Sequence, residues 1–230
     1  MNLAVMQPYL FPYLGYFQLI YASDLFLIYD DVTYIKQGYI NRNCVLSENG
    51  VIRFTVPVPG ASSNKFISDL MFSDDMTKVL KTVEQSYARA PFYEAVFPLV
   101  QEILEYQDRS IASVCQASYQ AIFSYLGLEK NIRRTSKIDY DRSASPRARL
   151  VALCHKFRAD CYINTPGGRS LYTKKDFAEH GVQLKFIHSL PVYYRQGKDE
   201  FVPNLSIIDA LMNCSIEEIL KLLNNYELVE

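Results

Sequence analysis

The chain is 230 residues long, 49% apolar, and carries a formal net charge of −1. That length fits one substantial domain, 1–230, with a sizeable core, and the near-neutral balance gives no global reason to bind nucleic acid or an anionic membrane. With no charged leader and no apolar run near the roughly 20 residues that span a bilayer, the chain reads as cytoplasmic and without a membrane span.

Leu3–Met6 is a short apolar run that predicts a buried strand, and Tyr13–Ala22 has apolar residues at helical spacing. Leu25–Tyr29 predicts the next strand, ending at Asp30-Asp31. Strand, turn, helix and strand make a parallel unit. Asn49-Gly50, between Val45-Leu46 and Val51–Val58, signals a hairpin. Residues 75–127 read as helical almost throughout: Met76–Ser86, then Phe92–Glu105 with Pro91 at a first helical position, then Asp108–Tyr125 closed by Gly127. Alternation returns with strands at Ile132–Ser136, Cys161–Asn164 and Val182–Ile187. Helices are predicted at Ser145–Arg158, Lys174–His180, Ser206–Met212 and Ile216–Asn224. The fold expected is α/β: a mostly parallel, Rossmann-like sheet with helices on both faces and a helical insertion at 75–127.

Ligands of such sheets bind where strands end and helices begin. The turn after the first strand, with Gln7, Tyr9, Tyr13, Gly15 and Tyr16, is therefore a first candidate, because a helix start favours phosphate or carboxylate. Tyr13-Leu14-Gly15-Tyr16 is similar in spacing to the His-x-Gly-His signature of nucleotidylyltransferases, with tyrosines in place of both histidines. That likeness concerns the fold more than adenylyl transfer. Asp30 and Asp31 follow an apolar strand, so one carboxylate is expected in the cleft as general base, amine anchor or Mg²⁺ holder; the rival reading is a turn or cap. Lys36, Asn41, Arg42 and Asn43 offer donors for phosphate or carboxylate, unless Arg42 simply pairs with Asp30 or Asp31. In the mechanism these imply, the elbow after the first strand, the two acids and Arg42 share one hollow.

Further along, Asn164, Gly167, Gly168 and Tyr172 lie in a strand-to-loop segment whose backbone can approach a ligand, although Gly-Gly also makes a plain tight turn. Tyr194 and Gln196 can line a sugar-like ligand, while Ser206 with Asp209 reads as an ordinary helix cap. The basic clusters at Arg133-Arg134 and Arg142, Arg147, Arg149 read as solvated faces. Five scattered cysteines without a C-x-x-C pair read as small buried hydrophobes, and three histidines without ligand spacing argue against a His-based zinc site. Tyrosine is the outlier, with 18 residues and no tryptophan, which suits either a pocket for polar rings or a tyrosine-rich core edge.

Taken together, the opening Gln-Pro-x-x-Phe-Pro-x-x-Gly-Tyr-Phe, Asp-Asp-Val-x-Tyr, Asn-Arg-Asn, Tyr-x-x-Ala-Pro-Phe at 87–92, Tyr-Ile-Asn-x-x-Gly-Gly and Leu-Ser-Ile-Ile-Asp resemble the WbqC-like family. The resemblance implies a biosynthetic enzyme of surface-polysaccharide or related pathways, a transferase or amide-forming ligase that places an amino-acid or acyl group on an amino sugar. Its partners would be small molecules: a nucleotide-linked sugar and an acyl donor, with an aminoacyl-tRNA open as that donor. No cofactor or metal follows from it, and no catalytic residue. Two other readings stand beside it: a non-catalytic module that binds a sugar nucleotide or a partner, and an ATP-dependent enzyme that forms an acyl-adenylate.

Overall fold

The computed structural model describes residues 1–198 and 200–230. Strands β1 (Asn2–Met6), β2 (Leu25–Ile28), β5 (Ile132–Arg134), β6 (Cys161–Asn164), β7 (Gln183–Ser189) and β8 (Tyr226–Val229) form one sheet in the order β5-β2-β1-β6-β7-β8. All neighbours pair in parallel except β7 and β8. A separate antiparallel ribbon joins β3 (Arg42–Ser47) to β4 (Gly50–Thr55) through the expected Asn-Gly turn, with Gly50 at φ 105°. The fold is the α/β arrangement expected from the alternation of apolar runs.

Side-chain alternation along the strands divides the interior in two. On one face, Ala4, Phe26, Ile28, Ile163 and Ile187 pack with α1 (Leu14–Ala22), α4 (Ile111–Tyr125), α7 (Ile207–Asn213) and α8 (Ile216–Leu223). On the other, Leu3, Val5, Leu25, Leu27, Tyr162, Leu184 and Phe186 pack with α5 (Pro146–Lys156) and α6 (Lys174–Ala178). The helical insertion is α2 (Thr77–Tyr87), α3 (Tyr93–Leu104) and α4. Among the described residues, no helix is long and apolar enough to cross a membrane.

Local chemistry explains most boundaries. Ser145 caps α5 by accepting from the Ala148 amide, with proline at the first turn. Gly127, at φ 73°, ends α4 in the left-handed conformation that glycine adopts without a Cβ penalty. Several boundaries differ from expectation by a few residues, among them the ends of β5, α5 and α6 and the start of α4; α3 starts at Tyr93, one residue after the expected Phe92, which is its cap and donates its amide to the Met212 carbonyl at 3.1 Å. Pro91 therefore lies before the cap. Strand β8 follows the last helix and has no sequence signal beyond its four residues; its pairing with β7 defines it.

Candidate functional site

Going left from β1 the sheet order is β1, β2, β5, and the next strand in sequence, β6, lies on the other side of β1. The reversal puts a crevice outside the carboxyl ends of β1 and β6, the usual ligand position in open α/β sheets. Two clefts flank it, one beyond β2 and β5 and one beyond β7.

The first cleft, of about 520 Å³, is lined by Asp31, Ser68, Ser136, Lys137, Asp139, Arg142 and Arg149, with Phe66 and Ile138. Register creates it. Ile28 pairs with Arg134, so residues 29–31 lie beside the short 3₁₀ turn Thr135–Lys137. Asp31 Oδ2 accepts from the Tyr140 hydroxyl at 2.8 Å and from Arg142 Nε at 2.8 Å, and the Thr135 hydroxyl reaches its Oδ1. Arg142 spends Nη2 on the Thr135 and Ile138 carbonyls, at 3.0 and 2.7 Å, and lies over the Tyr140 ring. Its fork is thus committed to protein atoms. Arg149 donates its Nε to the Ala144 carbonyl at 2.9 Å and places its guanidinium against the Tyr29 phenol. Burial raises the pKa of Tyr29 and Tyr140, and Asp31 adds to the rise at Tyr140, so both phenols stay protonated donors.

The two aspartates have different positions. Asp30 is 1% exposed and accepts from the Ser136 amide at 2.8 Å and the Ser136 hydroxyl at 2.6 Å. It ties β2 to the end of β5 and does not line the cleft. Asp31 lines it. Arg42 pairs with neither acid among the described residues; Arg142 is the partner that Asp31 finds.

The second cleft, of about 380 Å³, lies between the start of α1 and the segment after β7. Tyr13, Leu14, Gly15 and Gln18 form one wall, Ser189–Tyr194 another, and Phe201 with Pro203–Leu205 the rim. Gly15 is required by space: a Cβ there would lie 2.6 Å from the Tyr13 ring and 3.0 Å from Ser189 Oγ. Tyr194 is fixed by donating to Asp209 at 2.8 Å. Asp209 also accepts from Tyr87 and from the Gln196 amide, both at 2.8 Å, and burial pushes its carboxyl above the ordinary carboxylate value. Ser206 caps α7 as expected, its hydroxyl accepting from the Ile208 amide while its own amide donates to the Cys44 carbonyl; the Asp209 carboxylate turns to this network and not back to Ser206.

Several residues expected to bind substrate serve as struts. Tyr16 is 2% exposed, and its hydroxyl donates to the Gln7 carbonyl at 2.7 Å. Asn41 holds the Val56 carbonyl and accepts from Tyr34, and Asn43 donates to the Phe11 carbonyl. Gln196 holds residue 202 and Asp209. Asn164 is buried and sits so close to Gly168 that a Cβ there would fall 2.3 Å from its amide nitrogen. Gly167 and Lys36 are exposed, while Tyr172 is half-buried against Phe177. Tyr9 packs on Tyr39 and Tyr16. Gln7 and Arg42 are half-buried, and Arg42 lines neither cleft. The elbow, the acids and Arg42 therefore do not share a single hollow. Tyr13, Gly15 and Tyr194 meet in one cleft and Asp31 stands in the other.

The elbow itself is strained. Phe11 has φ 45°, a left-handed conformation that costs a non-glycine residue on the order of 1–3 kcal/mol. It persists because its carbonyl accepts from both Asn43 and Ser206, its ring is fully buried, and the Leu10 amide donates to Ile40. Among the thiols, burial pushes Cys154 and Cys214 up to about 12 and raises Cys115 and Cys161, so these four stay as un-ionised, apolar groups.

Sequence comparison agrees with the site's spread along the chain. The model of the WbqC-like protein family matches residues 7–221, which takes in both clefts. The uncharacterized protein Rv1507c of Mycobacterium tuberculosis is 32% identical over 221 residues, covering 94% of this chain and 95% of the relative. No solved structure matches.

Proposed function

The chain belongs to the WbqC-like protein family, and we propose that it is a cytoplasmic biosynthetic enzyme, residues 1–230 acting as one domain, that places an amino-acid or acyl group on an amino sugar or similar amine. The observation that supports this most is the lining of the first cleft, where a carboxylate, Asp31, stands in one wall with Lys137 and Arg149. Such a lining complements an acceptor amine placed against the carboxylate and the anionic group of a donor placed against the two cations.

In this reading Asp31 orients the amine. A carboxylate offers about four lone-pair positions, and Thr135, Tyr140 and Arg142 occupy three. The remaining one faces the ligand. As the amine attacks the acyl carbon, the bond to the leaving group breaks, and the proton lost by nitrogen passes toward Asp31. Arg149 and Lys137 hold the anionic group of the donor. Holding both reactants supplies much of the rate.

The test is a product assay on the full chain with activated acyl donors and nucleotide-linked amino sugars, read by mass spectrometry. Amide product that disappears in Asp31→Asn supports the proposal. Product formed by Asp31→Asn within about twofold of the parent kcat/KM would sink it.

A further inference from the structure

We propose that the second cleft, between the start of α1 and the segment after β7, binds the nucleoside and adjoining phosphate of a nucleoside diphosphate. The choice of a nucleotide-linked ligand rests on the functional reading above, but occupancy of this cleft is measurable without any turnover.

Gln18 is fully buried in α1 and lines this cleft. Its amide nitrogen donates to the Leu222 carbonyl at 2.8 Å and the Asn225 carbonyl at 3.1 Å, which fixes the orientation of the group. Its Oε1 is left without a donor among the described residues. A buried acceptor without a partner is destabilising, so a site that supplies a donor is favoured. The exocyclic amine or ring N–H of a nucleobase is such a donor.

The walls fit the same ligand. No lining side chain among the described residues carries a formal charge, unlike the first cleft. Tyr193 is 76% exposed, and its ring lies 5.3 Å from that of Phe201. An exposed ring backed by a half-buried one at a cleft mouth offers a face on which a planar, neutral ring can stack. Tyr194 adds a third ring, held in place through Asp209. At the other end, α1 begins without a side-chain cap from Tyr13. The partial positive charge at a helix start favours a phosphate.

The volume of about 380 Å³ lies in the ligand-pocket range of roughly 300–1,000 Å³. β2 and β7 are three strand spacings apart in the sheet, roughly 14 Å. A nucleotide-linked sugar anchored by its base at β7 thus extends along the carboxyl edge toward Asp31.

The probes are ADP, GDP, CDP, UDP and dTDP, titrated calorimetrically into the full chain, with inorganic pyrophosphate as control. The expected result is saturable binding of at least one nucleoside diphosphate and markedly weaker binding of pyrophosphate. Tyr193→Ala and Phe201→Ala should each weaken it roughly five- to hundredfold, the loss of one base–aromatic stack. Gln18→Met should reduce discrimination among bases, and Asp31→Asn should leave the nucleotide titration unchanged. No binding up to about 5 mM, or binding lost in Asp31→Asn yet untouched by Tyr193→Ala, overturns the assignment. Nucleotide binding that depends on Tyr193 in a chain with no transferase product would sink the functional reading and leave this one standing.

Discussion

The two clefts share one sheet edge yet differ in almost every physical respect. The one beyond β2 and β5 is charged, and its walls come mostly from Asp31 and the stretch 136–149. The one beyond β7 is uncharged and aromatic, and its walls come from residues 13–18 and 189–205. Their supports differ as well. An ion pair and a stacked guanidinium hold the first, whereas a buried carboxylate held by the neutral donors Tyr87, Tyr194 and Gln196 braces the second. A parallel sheet supplies the common edge, and what each side binds is decided by the loops that follow each strand.

Asp31→Asn should produce the largest effect, a loss of roughly a hundredfold or more in kcat/KM for amide formation, the scale of a lost proton-transfer group. Its neighbour should behave differently. Asp30→Ala strips the Ser136 amide and hydroxyl of their acceptor, so a loss of roughly 2–3 kcal/mol of stability is expected in denaturant titrations. A stable Asp30→Ala protein without turnover would reverse the two roles. Gly168→Ala would bring a Cβ to 2.3 Å from Asn164 and should cost roughly 1–3 kcal/mol, seen as a lower Tm.

The smallest effect concerns Asp209, and its sign is distinctive. Burial raises its carboxyl in the folded state, so the native chain keeps a proton that the unfolded chain releases. Stability tied to this group is present at low pH and declines as pH rises from about 4, the ordinary carboxylate value, to the folded value. Thermal melts of the parent and Asp209→Asn should show the parent losing ground over that interval. A parent that gains stability relative to the variant as pH rises would contradict this account.

Much of the fold was legible because strand and helix periodicities are local. Cys161–Asn164 is a strand with the bounds its apolar run predicts, and Ser145-Pro146 opens α5 as capping chemistry requires. The site was harder to read, for a physical reason. The partner of Asp31 is Arg142, 111 residues away, in a basic cluster that looks like a solvated face. Gln18 was not singled out, because the carbonyls that hold it belong to Leu222 and Asn225, 204 and 207 residues away. Asn41 and Asn43 looked like ligand donors because asparagine carries the same groups whether it faces a substrate or a carbonyl. Tyr29, next to Asp30, had a usable signal in its strand-end position.

The backbone carbonyl of Phe11 accepts from Asn43, 32 residues away, and from Ser206, 195 residues away. A conformation that needs both donors cannot settle until the chain is nearly complete, because long loops must close before such contacts form. The elbow should thus be among the last parts of the molecule to become rigid during refolding, and the opening of α1 with it. Pulse-labelled hydrogen exchange reads that order directly: amides of residues 14–17 should gain protection after those of β1 and β2, and simultaneous protection would mean that the elbow forms without its distant supports.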